Sequence, residues 1–512
     1  MTLDPISLSV LSAVLSGIAE EMGALLIRAA YSSNIKERRD CSTALFDATG
    51  QMVAQAEHIP VHLGAMPEAV AAVMDRDPSP GDVFALNDPY SGGTHLPDIT
   101  LVAPIVHQRE AIGYAVSRAH HSDVGGMRPG SMPADSTEIY QEGLILPPVR
   151  LVAGGREVED TLALILSNSR TPSLRRADLR AQIASTKLAQ ARVEELMERR
   201  GRDVVLAAFT EIVGYTERRV RAAIAALDDG VYRAETEIEG DGVGDDDFPI
   251  EVAVEISGEE MAIDFEGTAP AVRGNVNCPL SVTRAACHFA LRVLLPEDVP
   301  TNSGAHRPVD IRAPEGSLVN ARSPSAVVAG NVETSQRIAD AVLAALAHVA
   351  DVPAEGQGTM NNVVIGGAGW TYYETIGGGQ GANSRGPGSS GVHVGMTNTL
   401  NTPIEALELE FPLRVEQYEL RHDSGGAGAH RGGDGIVRAV KTLQAAHLSL
   451  LSDRRRHGPA GRAGGSGGRP GRNAVNGHEI GAKENLALEA GDVVTIETPG
   501  GGGFGNRGRK EL

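Results

Sequence analysis

Two apolar, β-branched runs, residues 99–106 and 112–119, flank a polar break at residues 107–111, and that pattern reads as a β-hairpin. Centring the turn on Arg109 sets Asp98 opposite His120, with Cβ atoms about 5 Å apart. The turn at Leu96-Pro97 then carries His95 to the same end of the hairpin. Imidazoles and carboxylates thus gather at Thr94-His95-Leu96-Pro97-Asp98 and Arg118-Ala119-His120-His121-Ser122-Asp123. Two neutral imidazoles with carboxylates suit zinc, iron(II), manganese or cobalt, whereas magnesium and calcium prefer all-oxygen shells. Histidines merely hydrogen-bonded in a polar loop are the alternative, and the density of ligand-type side chains favours the metal.

A chain of 512 residues with 41% hydrophobic content can bury a large core and divides into two to four folding units. Sixty-one glycines exceed average usage, and many lie beyond Gly366, so the C-terminal part is expected to be turn-rich. The formal charge of −20 argues against a nucleic-acid partner. Cys41, Cys278 and Cys287 show no CxxC spacing and imply no disulfide framework, which fits a reducing cytoplasm.

Residues 6–18 are apolar, but no Lys or Arg precedes them and Glu20-Glu21 follow, so the stretch reads as helix rather than signal peptide. Leu8, Leu11, Leu15, Ile18, Met22, Leu25 and Ala29 recur at helical spacing behind an Asp4-Pro5 start. No membrane span is expected, since no run approaches about 20 apolar residues.

The fold class is α+β, a mixed α/β chain of several domains. A metal-binding α/β domain is expected over 1–230, including a charged helical segment at 173–228. A central α/β domain follows over 231–352, then a Gly-rich, β-dominated domain over 353–512. Strands are expected at 42–47, 231–238, 250–265, 370–376, 436–442, 447–451 and 493–498, and helices at 283–294 and 334–350. The loop 91–93 lets backbone pass close to whatever His95 binds, and residues 464–473 read as a mobile surface loop.

Gly500-Gly501-Gly502-Gly503-Phe504-Gly505 and Gly377-Gly378-Gly379-Gln380-Gly381 lack the spacing and the strand-to-helix context of a phosphate loop, so tight turns are the expectation. Asn331-Val332-Glu333-Thr334-Ser335-Gln336-Arg337 opens a helix, with Thr334 or Ser335 as its cap and free amides able to hold an anion. Asn331, Glu333 and Arg337 are its candidate substrate or anion contacts. Cys41 reads as a buried structural thiol.

Arg39-Asp40-Cys41-Ser42, Asn87-Asp88-Pro89-Tyr90 with GGTHLPD, His120-His121-Ser122-Asp123-Val124-Gly125-Gly126, GNVETSQR and TPGGGGFG together resemble the hydantoinase B/oxoprolinase family over nearly the whole chain. The resemblance implies the metal-bearing B subunit of an ATP-dependent enzyme that opens a small cyclic amide: a hydantoin, oxoproline or lactam. It implies metal ligands Asp40, His95, Asp98 and His120, with zinc the first choice and manganese or iron also compatible. Asp40, His121 and Asp123 would carry catalysis, the last two by orienting His120 or a water. ATP would be bound by a separate A-type subunit of actin-like fold, with two copies of each subunit. Alternatives are a subunit of an ATP-dependent ketone carboxylase and a non-catalytic scaffold stabilised by its metal.

Overall fold

The structure is a computed structural model that describes residues 3–57, 59–62 and 64–506. It is a mixed α/β fold with four sheets, and strands dominate beyond residue 360.

The first sheet has seven antiparallel strands: β1 (Cys41–Asp47), β2 (Met52–Glu57), β3 (Val83–Leu86), β4 (Asp98–His107), β5 (Glu110–His120), β6 (Val149–Ala153) and β7 (Arg156–Glu157). They lie in the order β2-β1-β5-β4-β3-β6-β7, so the expected hairpin, β4-β5, sits at the centre. Asp98 faces His120 as expected, although the turn is tighter than the polar break suggested. Gln108 and Arg109 form it with φ of 50° and 71°, the two-residue geometry that matches strand twist. A register shift between Ile105 and Val106 then restores the pairing that sets Asp98 against His120.

Helix α1 (Pro5–Ala29) is capped by the Asp4 carboxylate, which accepts from the backbone of Ile6 and Ser7. It is a single helix long and apolar enough, by length and composition, to cross a membrane, which corrects the expectation that no such stretch exists. Leu11, Leu15, Ile18 and Met22 are buried in a core shared with Leu45, Ile105 and Val193, so much of that apolarity covers the sheet. The expected helical segment is α5 (Pro172–Arg200) and α6 (Arg202–Ile224), broken at Gly201, whose φ is 87°. Three short helices, α2 (Ser33–Lys36), α3 (Met66–Met74) and α4 (Glu159–Ser167), complete this part.

A second sheet, ordered β11-β10-β9-β8, comprises β8 (Gly230–Glu239), β9 (Asp247–Ser257), β10 (Glu260–Asp264) and β11 (Val309–Arg312). It packs with α7 (Leu280–Leu294) and α8 (Ser335–Leu346) in one core that also takes in Ile59, Met132 and Tyr373. Two further sheets, of four and five strands, share a core that includes Tyr372, Phe411, Leu448 and Ile496.

The glycine runs are not turns. None of Gly377–Gly379, Gly381 or Gly500–Gly503 has a positive φ, so conformational freedom does not explain them; Gly505, with φ of 76°, is the one member of the runs that needs it. Residues 499–505 run as an extended axis through surrounding chain segments. The N–H groups of Gly500 and Gly503 donate to Arg469 and Ser466, those of Gly501 and Phe504 to Gly433 and His430, and that of Gly502 to Glu355. Gly500 and Gly503, and likewise Gly501 and Phe504, each meet one neighbouring segment three residues apart, the repeat of an extended helix with three residues per turn. A Cβ on Gly500, Gly501 or Gly502 would stand 2.1 Å from the carbonyl oxygen of Ser424, Gln380 or Ala460 respectively. Glycine is required there by space. The expected surface loop at 464–473 is one wall of this bundle: Ser466 N donates to Ala427 O, and Gly465 and Gly468 lie against the axis.

Candidate metal centre

Strand pairing sets the core of the site. Asp98 opens β4 and His120 closes β5, and the turn after Leu96 brings His95 beside both. His95 Nε2 lies 3.2 Å from Asp98 Oδ1, His120 Nδ1 lies 3.3 Å from the same oxygen, and the two nitrogens are 3.3 Å apart. All three side chains are buried. Two imidazole nitrogens facing one another need a cation or a shared proton between them. Ligand atoms about 2.0–2.1 Å from a tetrahedral zinc stand about 3.3 Å from one another, so this triangle has the size of one face of such a site. The residues present fit a divalent metal.

The surroundings hold that triangle in place. Asp98 Oδ2 accepts from Thr94 Oγ1 at 2.6 Å and faces His62 Nε2 at 3.4 Å, while His62 Nδ1 lies 3.0 Å from Ser42 Oγ. Burial alone would push the Asp98 carboxyl up, but the charge of His95 and the hydrogen bonds of His120, His62 and His95 hold it well below the usual carboxylate range. Burial lowers His120, against the opposing pull of Asp98. Its ring stacks on Tyr373 at 4.4 Å between centroids, and its Nε2 is buried without a partner among the described residues.

His95 is fixed from the far side by Asn331, whose Nδ2 lies 3.1 Å from His95 Nδ1. Binding a metal through Nε2 requires the proton on Nδ1 and an acceptor opposite it. Asn331 Oδ1, buried and otherwise unpartnered among the described residues, supplies that acceptor when the amide is turned about its last torsion.

Asp40 stands beside the triangle without joining it. Its carbonyl accepts from His120 N at 3.0 Å, and its carboxylate lies 3.8 Å from Arg38 Nη2. His121 and Asp123 are carried elsewhere, because successive residues leaving a strand point to opposite faces. His121 Nε2 pairs with Gln182 Oε1 on α5 at 2.9 Å, and burial together with Arg175 lowers its pKa well below the usual value. Asp123 accepts from Arg170 and from the backbone of Gly125 and Gly130, so it ties loops together. Neither reaches His120 by a side-chain hydrogen bond.

The segment with Asn331 is also built differently from the expectation. The helix starts at residue 328 and passes through a π-helical turn, Gly330–Thr334, into α8. Thr334 and Ser335 are therefore interior, bonding Val276 O and Asn331 O, and they free no amides for an anion. Such turns recur at functional sites. Here one presents Asn331 to His95, while Glu333 bonds Asn362, which accepts from the Tyr373 hydroxyl. Arg337 is turned away, toward Asp340 and Thr236.

Loop 91–93 approaches backbone rather than His95, since a Cβ on Gly93 would lie 2.3 Å from Asn87 O. Cys41 is buried, and burial pushes its thiol up, as expected for a structural residue. Three contributors were not legible beforehand: His62, Tyr373 and Arg38, which donates to Thr375 and Thr399. Only the stretch His58-Ile59-Pro60-Val61-His62, with histidines in an apolar setting, offered a signal for the first.

The profile of the Hydantoinase B/oxoprolinase family matches residues 4–507. The chain belongs to this family. It is 43% identical to an uncharacterized protein of Methanocaldococcus jannaschii, over all of this chain and 92% of that one. It is 39% identical to 5-oxoprolinase 1 of Arabidopsis thaliana, covering 98% of this chain but 42% of that protein. The crystal structure of an ATP-dependent caprolactamase from Pseudomonas jessenii superposes with a TM-score of 0.91 at 30% identity, covering 99% of this chain and 92% of the other.

Proposed function

We propose that this chain is the metal-bearing subunit of an ATP-dependent cyclic-amide hydrolase that works with a separate A-type ATPase subunit of actin-like fold. The observation that carries the reading is the buried triangle of His95, Asp98 and His120 in a chain whose relatives include an oxoprolinase and a caprolactamase. An unstrained cyclic amide is a poor electrophile, and phosphorylating its oxygen makes its carbon reactive. Water must then be delivered to that carbon. His95, Asp98 and His120 would hold a divalent metal, which when bound would supply Lewis acidity and lower the pKa of water toward about 7.

The chain's own residues prepare this. Thr94 and His62 hold Asp98 anionic and oriented, Asn331 sets the tautomer of His95, and Tyr373 fixes the plane of His120. We assign to Asp40, whose charge acts on the His120 ring and whose carboxylate lies 3.8 Å from Arg38, the role of taking the proton of the attacking water. We place the complex in the cytoplasm, where the partner subunit finds ATP.

Metal analysis and a coupled assay test this together. Wild type should carry near-stoichiometric divalent metal, and His95→Ala and His120→Ala should lose it. With the A-type subunit, wild type should open a cyclic amide and place oxygen-18 from labelled water in the product carboxylate. Asp40→Ala should abolish ring opening while ATP binding by the partner persists. Ring opening by a metal-free His120→Ala complex would refute the reading in favour of a scaffold, and carboxylation of a ketone instead of ring opening would reassign the reaction.

A further inference from the structure

A helix leaves its first amides without acceptors, and the helical run that carries Asn331 leaves those of Val327, Val328, Ala329 and Gly330. The carbonyl of Asn275 takes the last two, at 3.0 and 3.1 Å. The first two go to one oxygen of a buried carboxyl that lies 185 residues from Val327 along the chain. Glu142 Oε1 accepts from Val327 N at 3.0 Å, from Val328 N at 3.1 Å and from Ser136 Oγ at 2.9 Å. Its Oε2 is buried without a partner among the described residues.

From Glu142 the bonds lead directly to a metal ligand. Val327 O accepts from Asn331 N at 3.2 Å, and the Asn331 side chain lies 3.1 Å from His95 Nδ1. The turn is pressed tightly onto its neighbours, since a Cβ on Gly330 would lie 1.8 Å from Asn277 O. The segment that carries Glu142 also holds His95 from the other side. Asn87 Nδ2 donates to Leu96 O at 2.7 Å and to Leu144 O at 2.9 Å, while Asn87 Oδ1 accepts from Leu146 N at 2.7 Å. Residues 142–146 thus fix both the backbone that follows His95 and the turn that faces its ring. Burial pushes the Glu142 carboxyl up to about 8 against the pull of its three donors. Near neutral pH it therefore acts as an uncharged acceptor, which an amide side chain reproduces.

We propose that Glu142 is a positioning residue of the metal centre: by closing the amides of Val327 and Val328 it fixes the turn that holds Asn331 against His95. The proposal rests on the reading of His95, Asp98 and His120 as a metal centre, and it names a residue that orients one ligand without touching it.

Competition between the full chain and a chelator for zinc tests it in a double-mutant cycle. Glu142→Ala should weaken zinc binding about five- to tenfold, at or below the low end of what loss of a ligand's direct partner costs. Glu142→Gln keeps the Oε1 acceptor and should stay within about twofold of wild type. In an Asn331→Ala background Glu142→Ala should add less than about twofold, because the contact it protects is already gone. A general loosening of the fold would lower affinity equally in both backgrounds. That equal loss, or unchanged affinity in a folded Glu142→Ala, would overturn the proposal. Glu142→Asp, one methylene short of both amides, replaces the alanine variant if that one does not fold. Hydrogen exchange of the metal-free chain supplies a readout that needs no zinc: residues 327–331 should lose protection in Glu142→Ala and keep it in Glu142→Gln. Wild type that binds no zinc but shows this exchange pattern would sink the metal reading alone. Tight zinc binding with exchange unchanged by Glu142→Ala would sink the positioning role alone.

Discussion

Replacing Gly501 by alanine separates two explanations of the glycine runs. If they serve as flexible turns, alanine at a position without positive φ costs little. If they are an axis enclosed by backbone, the added methyl has nowhere to go: it would lie 2.1 Å from Gln380 O and 2.3 Å from Gln380 C. Those are main-chain atoms held by the bonds from Gly433 N to Gln380 O and from Gly501 N to Gly433 O, so the segments must part. Overpacking of this kind costs about 1–3 kcal/mol, and each bond broken adds about 1 kcal/mol, giving about 3 kcal/mol. Gly17, inside α1 with nothing within 4 Å, is the matched control, where alanine should stabilise by about 0.5–1 kcal/mol. Urea unfolding followed by fluorescence suits the comparison, because the single tryptophan, Trp370, packs against the core of the C-terminal sheets. With a slope of about 3 kcal/mol/M, the midpoint for Gly501→Ala should fall by about 1 M. A shift no larger than that of Gly17→Ala, or an upward shift, would refute the enclosed axis.

Three further expectations follow from buried polar groups. His62→Ala should weaken metal affinity about 10–100-fold without abolishing binding, since His62 supports Asp98 from behind; competition with a chelator measures it. Burial pushes the Glu333 carboxyl up to about 8. Between its ordinary value and 8 the folded chain keeps a proton that the unfolded chain releases, so this group's contribution to stability is lost as pH rises, at up to ~1.4 kcal/mol per pH unit. Glu333→Gln should flatten that decline between about pH 5.5 and pH 8, and a decline in wild type equal to or smaller than that of the variant would refute the raised carboxyl. Arg438 and Glu374 form a buried ion pair at 2.7 Å. Arg438→Met should cost about 3–5 kcal/mol, and adding Glu374→Leu should recover most of it; a double variant no better than the single would contradict the pairing.

The hairpin was legible because two alternating apolar runs flank a short polar break, and centring the turn on Arg109 set Asp98 against His120 by numbering alone. Its inner detail was not. The bulge at Ile105 and Val106 compensates a turn shorter by one residue, and sequence alternation does not record such compensations. Element positions for α7, α8 and the strands at 370–375, 435–442 and 446–451 stood close to expectation because each is a periodic apolar run. The helical run that leads into α8 begins earlier, at residue 328, because Val327 and Val328 are apolar in any conformation, which hid the π turn that aims Asn331. The glycine bundle escaped because local chemistry does not distinguish a glycine needed for φ from one needed for space. His62, Tyr373 and Arg38 reach the site through tertiary packing over separations such as Arg38 to Thr375, which no spacing rule covers.

The axis through the glycine bundle has a consequence for biosynthesis. Its surrounding segments, from Glu355 through Arg469, all precede residues 499–505 along the chain. On the ribosome these walls emerge first, with carbonyls such as Glu355 O, Gly433 O and Ser466 O pointing at a channel whose occupant has not been made. Water must serve those groups until the occupant arrives, so this part of the molecule closes only after the axis has been translated, long after the β4-β5 hairpin has formed. Translation halted between residues 470 and 498 would release a chain with the β4-β5 hairpin made and its C-terminal bundle unfilled.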